Sequence, residues 1–282
     1  MQRTQERPVI KYLAANSFPG FYLNSREIVT ITTINYEKRL KMPGLSQALD
    51  MRLAECRTNN LGHLEFLSLL IQDELVNRED NMLSKRLKAA GFGVQKSFED
   101  FDFRFNEEAL PSSILRDLAT CHFISQKQNL VIGGPPGIGK THAVKAIGHE
   151  AARRGHQVLF RTTQKLLAEL QSDSSERAER ILRRAVAVDL LILDDFAFRK
   201  LDQREAEMLY VLAEERLGRA STVLTSNRPP EDWYAIFPDT VVGGAILDRL
   251  VSSAIKIITT KGKSYRREVM GAENRSRGEA AH

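Results

Sequence analysis

Residues 134–141 read Gly134-Pro135-Pro136-Gly137-Ile138-Gly139-Lys140-Thr141, and they satisfy the phosphate-binding loop pattern GxxxxGK[ST] at every fixed position. Glycines let the backbone turn with its N–H groups pointing inward, where they cradle phosphates. Lys140 then reaches the β- and γ-phosphates of a nucleoside triphosphate, and the Thr141 hydroxyl ligates Mg²⁺. The flanks agree with this. Asn129-Leu130-Val131-Ile132 is a short apolar run suited to a buried strand, and residues 142–152 have helical periodicity with Ala143, Ala146 and Ile147 on one face. Such a helix points its partly positive N-terminus at the phosphates. A mere glycine-rich turn beside a lysine does not require these flanks.

Beyond the loop, β-prone runs at 157–161, 190–193, 222–225 and 254–258 alternate with amphipathic stretches at 163–170, 176–187 and 203–217. This alternation predicts an α/β fold, a parallel sheet with helices on both faces. Upstream, Leu45, Ala48, Leu49 and Leu53, then Leu64, Leu67, Leu70, Ile71 and Leu75, then Met82, Leu83 and Leu87 recur at helical spacing and predict a small all-helical module. Phenylalanines alternating with charge near 98–105 suit an extended connector, and Pro111-Ser112 starts a helix that turns Ile114, Leu115, Leu118 and Phe123 inward. The expected organisation is an N-terminal extension at 1–40, the helical module at 41–97, a connector at 98–111, the P-loop domain at 112–262 and a basic tail at 263–282.

A second chemical signal lies about fifty residues past the loop. Asp189-Leu190-Leu191-Ile192-Leu193-Asp194-Asp195 is an apolar strand ending in two carboxylates. Strand ends in open α/β sheets line the ligand crevice. Asp194 is therefore expected to hold Mg²⁺, directly or through water, and Asp195 to polarise a water near the γ-phosphate. Aspartate is one methylene shorter than the commoner glutamate, so slow turnover is expected. The next β-prone run delivers Asn227, whose amide can hydrogen-bond the γ-phosphate or the attacking water. Arg249, in Ile246-Leu247-Asp248-Arg249-Leu250, is expected on an outward helix face, where an arginine usually makes surface pairs of little worth.

Composition narrows the class. Of 282 residues, 42% are hydrophobic and 27% charged, which is ordinary for a globular chain. The net charge of +5 favours anionic partners, and its distribution favours them more: Lys256, Lys261, Lys263, Arg266, Arg267, Arg275 and Arg277 crowd the C-terminal end, while Lys85, Arg86, Lys88 and Lys96 form a second patch. Cys56 and Cys121 match no metal or redox spacing, and no histidine pair has ligand spacing. With no apolar run of membrane-spanning length and no secretory pattern at the start, a cytoplasmic protein is expected.

Taken together, Gly-Pro-Pro-Gly-Ile-Gly-Lys-Thr, Asp-Leu-Leu-Ile-Leu-Asp-Asp-Phe, Thr-Ser-Asn-Arg-Pro and Ala-Ile-Leu-Asp-Arg-Leu-Val resemble the IstB-like transposition helper ATPases, relatives of the DnaC helicase loaders within the AAA+ class. The similarity spans roughly residues 43–267. It implies an ATP-hydrolysing helper that uses ATP and Mg²⁺, forms a homo-oligomer on duplex DNA and directs a transposase encoded nearby. It also implies that Asn227 is a sensor residue and that Arg249 is an arginine finger offered to a neighbouring subunit. Ala197-Phe198 departs from the glycine usual after Asp-Asp-Phe. A helicase loader is the nearest rival reading, and a nucleotide-gated DNA-binding scaffold with negligible hydrolysis is the rival of another class.

Overall fold

The described residues of the computed structural model are 40–94, 96–172 and 174–268, and they fall into two compact units, Met1–Asn81 and Met82–His282. The expected extension at 1–40, all but its last residue, and the tail beyond 268, with Arg275 and Arg277, lie outside the described residues.

In the first unit, Pro43 opens helix α1 (Pro43–Asn59) at a position where its missing N–H costs nothing. Two of the orphan amides of α1, on Gly44 and Leu45, donate to the Glu74 carboxylate at 2.7 and 3.1 Å. Glu74 belongs to α2 (His63–Ala90), so one helix caps the other. Their approach requires glycine at position 44, because a Cβ there would lie 2.6 Å from Asn77 Cβ. Arg52 completes the pairing with a fork onto Asp73 at 2.8 and 2.9 Å, and this hydrogen bonding holds the Asp73 carboxyl below the usual range. The periodic stretches beginning at Leu64 and Met82 are one continuous helix. Along it Leu70 and Glu74 are buried, whereas Leu64, Leu67, Ile71 and Leu75 stay exposed.

The second unit is built on five parallel strands. These are β1 (Leu130–Gly133), β2 (Val158–Thr162), β3 (Leu190–Asp194), β4 (Ser221–Ser226) and β5 (Ile255–Ile258), in the order β2-β3-β4-β1-β5. Every residue of β1, β3 and β4 is buried; β1 and β3 accordingly read as nearly unbroken apolar runs, whereas β4 carries hydroxyl residues on either side of Val223 and Leu224. Strand alternation still sorts the side chains between two layers. Leu190 and Ile192 join the core beneath α3 (Ser112–Ala119), α4 (His122–Ser125) and α5 (Lys140–Arg153). Leu191 and Leu193 point the other way, towards α6 (Thr163–Leu170), α7 (Ser175–Ala187), α8 (Gln203–Arg216), a 3₁₀ turn at Pro230–Ile236 and α9 (Thr240–Val251). The α/β architecture expected from the alternating pattern is thus present. Among the described residues no helix is long and apolar enough to cross a membrane.

Three local expectations are corrected. Residues 98–110 form successive turns, not an extended connector, with Phe101 N donating to Phe98 O and Leu110 N to Asn106 O. An extended chain would send Phe98 and Phe101 to opposite faces. In the turn they meet Phe103 in one cluster with ring centroids 5.1–6.2 Å apart. On α3, Leu115 and Leu118 are buried as expected, but Ile114 is 39% exposed. The second basic patch is also divided: Lys85 and Lys88 are exposed, whereas Arg86 donates to Ala152 O at 2.6 Å.

One buried cation joins the layers. Arg216, at the end of α8 and 2% exposed, donates to Ala185 O, Val186 O and Val188 O near the end of α7, and to Thr222 Oγ1 and Ser221 O on β4. Burial lowers its pKa to about 10, so it stays charged at neutral pH. Replacing it leaves several buried acceptors without a donor, each costing about 1–3 kcal/mol. Arg216→Met should therefore lose about 3 kcal/mol or more in urea unfolding, and an unchanged midpoint would contradict this role.

Candidate functional site

The loop from Gly134 to Gly139 leaves the end of β1 and runs straight into α5. Its turn depends on left-handed backbone at Gly137 (φ +87) and Gly139 (φ +107), a region that side chains with a Cβ rarely adopt. Helix α5 then begins at Lys140 itself, so the first amides of α5 face the cleft.

Lys140 is 6% exposed. Its ammonium donates to Gly134 O at 2.8 Å, Pro135 O at 2.9 Å and Asn227 Oδ1 at 2.8 Å, using all three of its protons. Burial lowers the Lys140 pKa, and the nearby Asp195 and Asp194 carboxylates oppose that shift. The hydrogen bond to Asn227 joins the loop to the end of β4, so two residues 87 positions apart converge on one charge.

The carboxylate pair sits at the end of β3. Asp194 is 3% exposed and accepts from Thr141 Oγ1 at 3.0–3.1 Å and from Thr225 Oγ1. The Thr225 hydroxyl in turn accepts the Asp195 amide at 3.1 Å. Next to it, Ser226 Oγ donates to Phe196 O at 2.7 Å, and Phe196 N donates to Thr225 O at 2.7 Å. These cross-strand bonds turn the chain sharply. Asp195 and Ala197 both take left-handed backbone, φ 54 and 59, so the turn forms with alanine at position 197.

A cleft of about 540 Å³ passes over these groups. Its walls include Gly137, Lys140, Thr141, Asp195 and Asn227, and also Tyr265 and Arg266 from the C-terminal segment. At one end Phe101 meets His142 edge to face with centroids 5.0 Å apart. The oxygen donors fit the expected ion: a threonine hydroxyl beside a carboxylate suits a hard cation that keeps most of its shell for water and phosphate oxygens. Asp195 is partly buried, and burial first, then the Asp194 charge, raises its pKa.

The structure therefore brings together Lys140, Thr141, Asp194, Asp195 and Asn227, but it leaves Arg249 elsewhere. On α9, Arg249 donates to the Glu214 carboxylate and to Ala245 O, with its guanidinium over the Tyr210 ring at 5.0 Å. Sequence reasoning missed Thr225 and Ser226. The signal was present, since hydroxyl residues are unusual in a wholly buried strand and imply buried partners.

Asp195 gives a test of this geometry. With its folded pKa raised, its charge subtracts stability: the cost is absent at low pH, where folded and unfolded states are both protonated, and is complete above the folded pKa. Asparagine removes the charge and tolerates left-handed backbone. Asp195→Asn should raise Tm at neutral pH, and the gain should fade as the pH drops to about 4, the ordinary aspartate pKa, and vanish below it. A variant that melts earlier than wild type at neutral pH would contradict the raised pKa.

Comparison with known proteins agrees with the site. Residues 35–271 match the family described as IstB-like ATP binding protein. An insertion-sequence ATP-binding protein of Mycobacterium tuberculosis is 42% identical over 235 residues, 82% of this chain and 92% of that protein. The ATP-binding protein of insertion sequence IS21 from Pseudomonas aeruginosa is 36% identical, over 81% of this chain and 86% of that one. Among solved structures, that of DnaI superposes with a TM-score of 0.52 at 21% identity, covering 63% of this chain and 94% of that one, a likeness of fold. With the phosphate loop, the carboxylate-ended strand and the parallel sheet all in place, this chain belongs to the IstB-like ATP binding protein family.

Proposed function

We propose that this chain is the ATP-hydrolysing, DNA-binding helper of an insertion sequence, a cytoplasmic protein that assembles on duplex DNA and directs a transposase to its target. The observation that carries the reading is the convergence of Lys140, Thr141, Asp194, Asp195 and Asn227 at the adjoining ends of β1, β3 and β4. Relatives named for insertion sequences support the biological setting.

The step is attack of water on the γ-phosphorus as its bond to the β–γ bridging oxygen breaks, releasing phosphate and ADP. Lys140 exchanges carbonyl acceptors for the β- and γ-phosphates and neutralises charge there. Asp195, shielded in the cleft, orients the water and takes up its proton. Asn227 already touches Lys140 and so reports the γ-phosphate position to β4. Thr141 and Asp194 hold magnesium, which when bound neutralises phosphate charge. Arg249 acts on a neighbouring subunit's ATP, for which it must leave Glu214. On this reading the helical module at 41–97 serves partner and DNA recruitment, and the domain at 112–262 serves hydrolysis.

Lys140→Ala should abolish saturable ATP uptake. Asp195→Asn should keep uptake but slow phosphate release by about 10²–10⁴-fold, the range for a general base. Equal release from wild type and Asp195→Asn favours a nucleotide-gated scaffold instead. Arg249→Ala should bind ATP normally yet lose about 10³-fold in assembled turnover, and mixing it with Lys140→Ala should restore part of that turnover, since each supplies what the other lacks. Duplex binding should weaken steeply between about 50 and 200 mM salt. Capture of a replicative helicase with no duplex binding would favour a loader.

A further inference from the structure

Residues 259–267 lie directly on the phosphate loop. Thr259 N donates to Gly133 O at 3.1 Å and Tyr265 N to Gly137 O at 3.0 Å. Between these bonds the Asn106 side chain makes a three-way tie. Its amide donates to Ile138 O at 3.2 Å and to Lys263 O at 3.0 Å, and its oxygen accepts Lys263 N at 2.9 Å. The fit needs glycine on both surfaces. A Cβ on Gly137 would come 2.9 Å from Ser264 Cβ, and a Cβ on Gly262 would come 2.6 Å from Ile138 Cγ2. A shift of the loop on binding phosphates must therefore carry this strap with it, because close-packed surfaces do not yield independently.

The strap also carries unneutralised charge. Lys261, Lys263 and Arg267 are exposed, and among the described residues none of them takes part in an ion pair. Elsewhere Arg52, Arg78, Arg161, Arg199 and Arg249 each hold a carboxylate. From Lys256 to Glu268 there is a single acidic residue, Glu268 itself, against five cations. A stripe of like charge with no ion-pair partner among the described residues suits contact with a polyanion.

We propose that the strap at 259–267 grips the phosphate backbone of duplex DNA through Lys261, Lys263 and Arg267, and that Asn106 couples this grip to the nucleotide through the phosphate loop. The inference rests on the DNA-binding reading above and adds to it a surface and a route of regulation. Coupling of this kind is reciprocal: whatever factor the nucleotide adds to DNA affinity, DNA adds to nucleotide affinity.

The experiment uses the full chain, a fluorescent duplex and a non-hydrolysable ATP analogue, with DNA affinity measured by anisotropy across a salt series. In wild type the analogue should tighten DNA binding by about fivefold or more. The triple variant Lys261→Gln/Lys263→Gln/Arg267→Gln should bind the analogue alone within about twofold of wild type, while its log–log salt slope becomes shallower by about 2–3, close to 0.9 per lost phosphate contact. Asn106→Ala keeps every charge, so its salt slope should match wild type while the analogue's effect on DNA affinity shrinks to less than about twofold, against the fivefold or more typical of coupled sites. A purely structural role for Asn106 would instead weaken DNA or analogue binding without changing their ratio, and that result overturns the coupling. An unchanged salt slope in the triple variant, with wild type binding duplex normally, overturns the strap but leaves the DNA-binding reading intact. A wild type that ignores duplex at low salt, or prefers anionic vesicles, overturns both.

Discussion

The hydroxyl of Thr225 sits where the site would otherwise come apart. It donates to the Asp194 carboxylate and accepts the Asp195 amide, so a side chain of β4 holds both the charge that ends β3 and the backbone that follows it. The same carboxylate takes the Thr141 hydroxyl from the start of α5. Two strand ends and one helix are thereby held on a single buried anion. Such an anion is tolerated inside a protein only when its lone pairs are hydrogen-bonded.

Parallel pairing makes this arrangement possible. With Gly133 in register with Ser226 and Leu193 with Leu224, the C-terminal ends of β1, β3 and β4 finish at the same level, and the segments that leave them meet. The cores on both faces then have a second task beyond stability, since they keep these ends from sliding by one residue, which would invert every side chain. Arg216 serves the same purpose from the far end of the sheet, tying the end of α7 to the start of β4.

Charge is distributed with a similar economy. Lys140 and Asp195 are both pushed by burial towards their neutral forms, yet each is kept useful by the opposite charge nearby. Arg249 lies outside this balance, held by Glu214 and Tyr210 on another face. In the proposed function this guanidinium acts on a site that a second subunit brings to it, which would link turnover to assembly.

The sequence by itself determined the phosphate loop, the alternation of strands and helices, and the carboxylates at the end of an apolar run, because each follows from local spacing: a glycine pattern, a period of 3.6 against unbroken apolar runs, and a polar residue at a strand terminus. Only the tertiary structure decided what those residues touch. That Asn227 meets Lys140, that Thr225 bridges Asp194 and Asp195, and that residues 259–267 lie against Gly137 are facts of strand order, which pairs elements distant in the chain. The segment at 98–105 reads as an extended connector for the same reason: Phe101, Phe103 and Phe105 alternate with charge, whereas in the turns Phe98, Phe101 and Phe103 pack on one another and Phe101 on His142. Periodicity reports which face of an element is apolar, and packing alone selects the surface that covers it.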